Sequence, residues 1–168
     1  MPKLLVVFSS IDAYAARIAD VVADGAKSVR FAEVDVRAAA DADADVNDRR
    51  RLRSADAMCD YDGVILVAPG PESTAHELGA LLTRLRVGEP MPNTVFALAG
   101  EENAEMLADI ARSGGLVVGQ PRAASADDRA RMLGARVATV IGWVRHALAH
   151  EAEHSHSYHG HTHDHHAR

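Results

Sequence analysis

The stretch from Tyr61 to Gly70 constrains the fold more than any other. Val64-Ile65-Leu66-Val67-Ala68 is an unbroken apolar run, entered through Asp62-Gly63 and stopped by Pro69-Gly70-Pro71. A run apolar on both pleat faces fits a central strand of a parallel sheet, covered by helices on both sides. In open α/β folds, ligands sit beyond the carboxyl ends of such strands. Ala68 to Thr74 is therefore expected to form one wall of any site.

The rest of the chain supplies partners for that strand. Leu4 to Phe8, Thr94 to Ala99 and Leu116 to Val118 are further short apolar runs. Val29 to Val36 alternates apolar with polar, the pattern of a half-buried strand near a sheet edge. Helical spacing fills the intervals. Asp12 or Ser10 caps a helix to about Ala26, with Tyr14, Ile18, Val21 and Val22 on one face and Gly25 as its stop. A second helix runs from Ser73 or Thr74 to about Val87. A third opens at Glu101, carries Met106, Leu107 and Ile110, and ends at Ser113. The last runs from Ala126 to about Ala149, with Met132, Leu133, Val137, Val140, Ile141, Val144 and Leu148 inward. Residues 38–53 place Asp41, Asp43 and Asp45 before a run of arginines, and read as a solvated connection with one short helix. This alternation predicts an α/β fold: a three-layer, doubly wound, five-stranded parallel sheet in the order 2-1-3-4-5, its crevice between the first and third strands.

Composition narrows the function classes. With 168 residues and 48% hydrophobic content, one domain with a sizeable core is expected over residues 1–149. A formal charge of -6 argues against non-specific nucleic-acid binding, which needs clustered Lys and Arg. The single cysteine, Cys59, excludes an internal disulfide and suits a reducing cytoplasm. No apolar stretch reaches the ~18 residues of a membrane span.

Two segments resemble a known family. Tyr61-Asp62-Gly63-Val64-Ile65-Leu66-Val67-Ala68-Pro69 and Ala130-Arg131-Met132-Leu133-Gly134-Ala135-Arg136-Val137-Ala138 are similar to the third strand and last helix of the flavodoxin-like NAD(P)H:quinone oxidoreductases of the WrbA group. The resemblance covers residues 3 to 149 and implies FMN as cofactor, NAD(P)H as donor, a quinone as acceptor, and a homodimer or homotetramer. It places FMN against three loops. The first is Ser9-Ser10-Ile11-Asp12-Ala13, where hydroxyls and backbone N–H groups hold the phosphate at a helix N-terminus. Ala13 stands where the family has glycine, and Asp12 brings a carboxylate near the expected phosphate. The second is Pro69-Gly70-Pro71-Glu72, which lacks the family's Arg and aromatic residue. The third begins at Gly100 and carries Glu101 and Glu102.

The C-terminus is histidine-rich over residues 150–168. His150, His154, His156, His159, His161, His163, His165 and His166 are interleaved with Ser, Gly, Thr and Asp in an almost apolar-free tail, which predicts disorder. Imidazoles in such a tract suit Ni, Zn or Cu. Cys59 reads as a buried packing residue, His76 as a solvated residue near the crevice mouth, and Trp143 as core or dimer surface. Tyr14 reads as either core or crevice. Two functions stay open: an FMN-dependent oxidoreductase passing two electrons from NAD(P)H to a quinone, or a degenerate flavodoxin-like protein without FMN, non-enzymatic, with a metal-binding tail.

Overall fold

In the computed structural model, β1 (Lys3–Ser9) is the strand on which the rest is assembled. The structure describes residues 1–10, 12–30, 32–39, 51–52, 56–70, 83, 91–100 and 104–157. β1 pairs on one side with β2 (Glu33–Ala39) and on the other with β4 (Gly63–Val67). β5 (Val95–Ala99) follows β4, and β6 (Leu116–Val118) closes that side. On the far edge, the two-residue β3 (Arg51–Leu52) pairs with the end of β2. Every pairing is parallel, and the order is β3-β2-β1-β4-β5-β6. The five principal strands thus take the expected order, and a short edge strand falls where a solvated connection was expected.

The apolar runs divide between two cores by pleat parity. Leu4, Val6, Ile65 and Val67 point to one face, where they meet Ile18, Val22, Leu133, Val137 and Ile141. Leu5, Val7, Leu66, Phe96 and Leu98 point to the other, against Met58, Met106 and Ile110. All five residues of β4 and all five of β5 are buried. Successive side chains of a strand alternate faces, so only a run apolar at every position fills both cores.

Helix α1 (Ala13–Lys27) and the last helix, α3 (Ala126–Ser157), cover the first face. α2 (Ala104–Arg112) and a single 3-10 turn at Asp56–Met58 contribute to the second. α1 buries Ala15, Ile18, Ala19, Val22, Ala23 and Ala26, a stripe of mostly small residues. That stripe lets α3 approach closely. A Cβ at Gly25 would lie 2.0 Å from the Arg131 carbonyl oxygen, and one at Gly134 would lie 2.0 Å from that of Val22. Gly25 is therefore a contact residue inside α1 and not its stop. The helix ends two residues later, where the Ser28 hydroxyl donates to the Gly25 carbonyl at 2.6 Å.

Other boundaries move for physical reasons. β2 begins at Glu33, four residues later than the alternation suggested, because its register is set by pairing Glu33 with Lys3. α3 continues past Ala149 to Ser157 through a Glu- and Ala-containing segment compatible with helix. Met132 and Leu148, expected inward, are 49% and 40% exposed, and Trp143 is 69% exposed, so it is not core. Cys59 is exposed and not a packing residue. The expected helix from Ser73 to Val87, His76 included, lies outside the described residues save Thr83. Among the described residues, no helix is long and apolar enough to cross a membrane.

Candidate ligand crevice

The carboxyl ends of β1, β4, β5 and β6 open on one end of the sheet, and the topology brings there those expected cofactor-site residues that the structure describes. Ser9 is the buried last residue of β1, and Ser10 is exposed beside it. Asp12 is the N-cap of α1 and Ala13 its first residue. Pro69 and Gly70 follow β4, and Gly100 follows β5. Ile11, Pro71, Glu72, Glu101 and Glu102 lie outside the described residues.

Asp12 holds this end together. One carboxylate oxygen accepts from the backbone N–H of Tyr14 at 2.9 Å and of Ala15 at 3.1 Å. The other accepts from the backbone N–H of Gly70 at 2.7 Å. The first pair is an N-cap, which satisfies donors that a helix start leaves without intrahelical partners. The third bond crosses the sheet and pins the β4 loop to the start of α1. Asp12 is 8% exposed, so these bonds are made largely out of water, where charge-assisted bonds are strong.

The β4 and β5 ends are equally close. The Ala68 N–H donates to the Ala99 carbonyl at 2.7 Å, extending the ladder one residue past β4. Gly100 then turns with φ of 100°, the left-handed region that favours glycine. A Cβ there would sit 3.2 Å from that of Ala68. The Gln120 side-chain amide donates to the Gly100 carbonyl at 2.8 Å and ties the loop after β6 to the loop after β5. The Tyr14 ring lies over Gly70, its Cδ1 3.3 Å from where a Cβ would stand.

Beyond Tyr14 opens a cavity of about 510 Å³, within the range of small-molecule sites. Tyr14 and Ile18 of α1, Gly100, Gln120 and Arg122 of the loops, and Arg129 of α3 are among its walls. The sequence does not single these three out: Gln120 and Arg122 fall between the last expected strand and the last expected helix, and Arg129 falls on that helix. The signal available was topological: the loop after the last strand belongs to the same carboxyl end as the other three.

The phosphate of FMN does not fit the β1–α1 turn. The N–H groups of Tyr14, Ala15 and Gly70 already point at the Asp12 carboxylate. A phosphate brought there would displace that carboxylate or face it, a like-charge contact costing several kcal/mol. The far side of Tyr14 differs: Gly100 lines the cavity there, while Gly70 is buried beneath the Tyr14 ring.

The histidines are elsewhere. His150 is exposed on α3, 24 residues beyond Ala126 (150 − 126), or ~36 Å along the helix. His154 and His156 fall on the last turns of α3, with side chains outside the described set, as are His159, His161, His163, His165 and His166. Among the described residues, no group of three or more His, Cys, Asp or Glu could hold a metal ion.

No protein-family model matches the chain, and no curated protein matches it. Solved structures do. A short-chain flavodoxin associated with a PDU bacterial microcompartment superposes with a TM-score of 0.60 at 11% identity, covering 84% of this chain and 99% of that one. The diflavin flavoprotein A3 from Nostoc sp. gives 0.57 at 17% identity, over 89% and 97%. The flavodiiron protein from Giardia intestinalis gives 0.55 at 15% identity, over 84% of this chain and 36% of that one. At these identities the likeness is one of fold, and the fold is flavodoxin-like.

Proposed function

We propose that the carboxyl-end crevice binds a flavin and that the protein serves two-electron redox chemistry. The observation that carries this reading is the cavity of about 510 Å³ at the carboxyl end of the sheet, walled by the Tyr14 ring, Gly100 and Gln120. A flat ring can stack on the Tyr14 face there. The flavodoxin-like fold, shared with proteins described as a flavodoxin and a diflavin flavoprotein, supports the same ligand class. When bound, a flavin supplies hydride-accepting chemistry, and the protein supplies position and electrostatics. The finer reading is FMN as the flavin, NAD(P)H as donor and a quinone as acceptor, motivated by the WrbA-like segments at Tyr61 to Pro69 and Ala130 to Ala138.

Fluorescence titration with riboflavin and with FMN tests the ligand class. Saturable quenching of either flavin supports it, and quenching of neither overturns it. Steady-state oxidation of NAD(P)H by a quinone tests the finer reading. A flavin-loaded protein that fails to oxidise NADH or NADPH would remove the reaction while leaving the ligand.

A further inference from the structure

We propose that the anion site of this crevice lies on Arg122 and Arg129, in the cavity between α1 and α3, and that it takes the phosphate of a phosphate monoester. The inference begins with charge. The chain carries a formal -6, and both carboxylates at the start of α3 are committed. Asp127 pairs with Arg17 of α1 at 2.5 Å, and Asp128 accepts from the Ser125 hydroxyl at 2.7 Å. Arg122 and Arg129 have no ion-pair partner among the described residues. Two guanidinium groups on one cavity, unpaired among the described residues, offer a local positive charge that an anionic ligand can neutralise. Guanidinium is also the side chain whose planar fork matches phosphate oxygens.

The shape of the cavity agrees. Its volume of about 510 Å³ exceeds what a free phosphate needs, and Ile18, Ala130 and the Tyr14 ring give the remainder an apolar lining. Ala126, at the start of α3, adds the positive end of a helix dipole to the same wall. Gly100 lines this cavity and directly follows β5, so the cavity adjoins the carboxyl end of the sheet. Asp12 explains why the anion site stands here: its carboxylate already takes the N–H groups of Tyr14, Ala15 and Gly70. A ligand entering with a phosphate is repelled at that turn and attracted on the far side of Tyr14. The identity of the ring rests on the flavin reading; the anion site itself does not.

The test uses inorganic phosphate on the full chain, followed by amide chemical shifts. Expected are saturable shifts at Gln120, Arg122, Ala123 and residues 126–130. In the double variant Arg122→Ala/Arg129→Ala, affinity should fall roughly ten-fold or more, the loss expected when charge-assisted hydrogen bonds are removed. Arg136→Ala, which removes an exposed charge from the same helix, should leave it unchanged. FMN should bind more tightly than riboflavin in the wild type, with the preference abolished in the double variant. Phosphate affinity equal in the wild type and the double variant overturns the proposal. So does binding that maps to residues 12–15 and strengthens in Asp12→Asn. Arginine-dependent phosphate binding without binding of either flavin would leave this site standing and remove the flavin.

Discussion

Asp12 joins two parts of this structure through one carboxylate. It caps α1 and, through Gly70, ties the loop after the central strand to the loop after β1. Removing it costs both parts. Loss of an N-cap is worth about 0.5–2 kcal/mol, and a charge-assisted bond to a buried N–H adds about 1.5–3 kcal/mol. Asp12→Ala is therefore expected to destabilise the protein by about 2–5 kcal/mol, read as a lower urea midpoint at unchanged slope. Asp12→Asn keeps an acceptor for the α1 amides and should fall between. An Asp12→Ala variant as stable as the wild type would mean that the crossing bond contributes nothing. The cap itself was legible in the sequence, because Asp before a helical pattern is a local signal. The bond to Gly70 was not: it joins residues 58 positions apart, and no spacing rule reaches that far.

At the scale of elements, α1 and α3 meet backbone to backbone at Gly25 and Gly134. A methyl group at either position would collide with a carbonyl of the opposite helix, and a backbone atom cannot rotate away. Gly134→Ala should separate the two helices at a cost of about 1–3 kcal/mol or more, despite alanine's better helix propensity. A thermal melt at or above the wild-type midpoint would show that the helices adjust freely. Glycine inside a helical pattern can signal either a stop or a contact. Gly25 was read as a stop because the partner helix, more than a hundred residues away, is invisible locally.

A second element-scale junction ties β2 to the entry of β4. The Tyr61 hydroxyl donates to the Asp35 carboxylate at 2.5 Å. Burial, and then that hydrogen bond, push Tyr61 up from 10.0 to about 12. The folded protein thus holds this proton more tightly than the unfolded chain. The contribution to stability is complete below pH 10.0 and is lost as pH rises from there to about 12. Urea midpoints of wild type and Tyr61→Phe should converge across that window. A constant difference would show that the hydroxyl does not titrate with folding.

At the scale of the molecule, the architecture was largely readable and the site only partly so. Runs such as Val64 to Val67 and Val95 to Ala99 are apolar at every position because both faces of the sheet are covered, and that requirement is written in consecutive residues. Right-handed crossovers then leave few topologies. The two-residue β3 escaped because so short a run carries no period. The crevice is assembled from the ends of four strands, so its residues are scattered: Asp12 and Gly100 stand out in the sequence, while Gln120 and Arg122 sit in the interval after the last strand and Arg129 on the last helix. What a loop residue faces depends on the packing of α1 against α3, which is tertiary.

Entry of a flavin at this end of the sheet is tested most directly by amide chemical-shift mapping of the full chain during titration with FMN. Saturable shifts are expected at Gly70, Gly100 and Gln120, with the second half of α3 unmoved. No shifts at any FMN concentration, or shifts confined to the histidine-bearing end of α3, would contradict it.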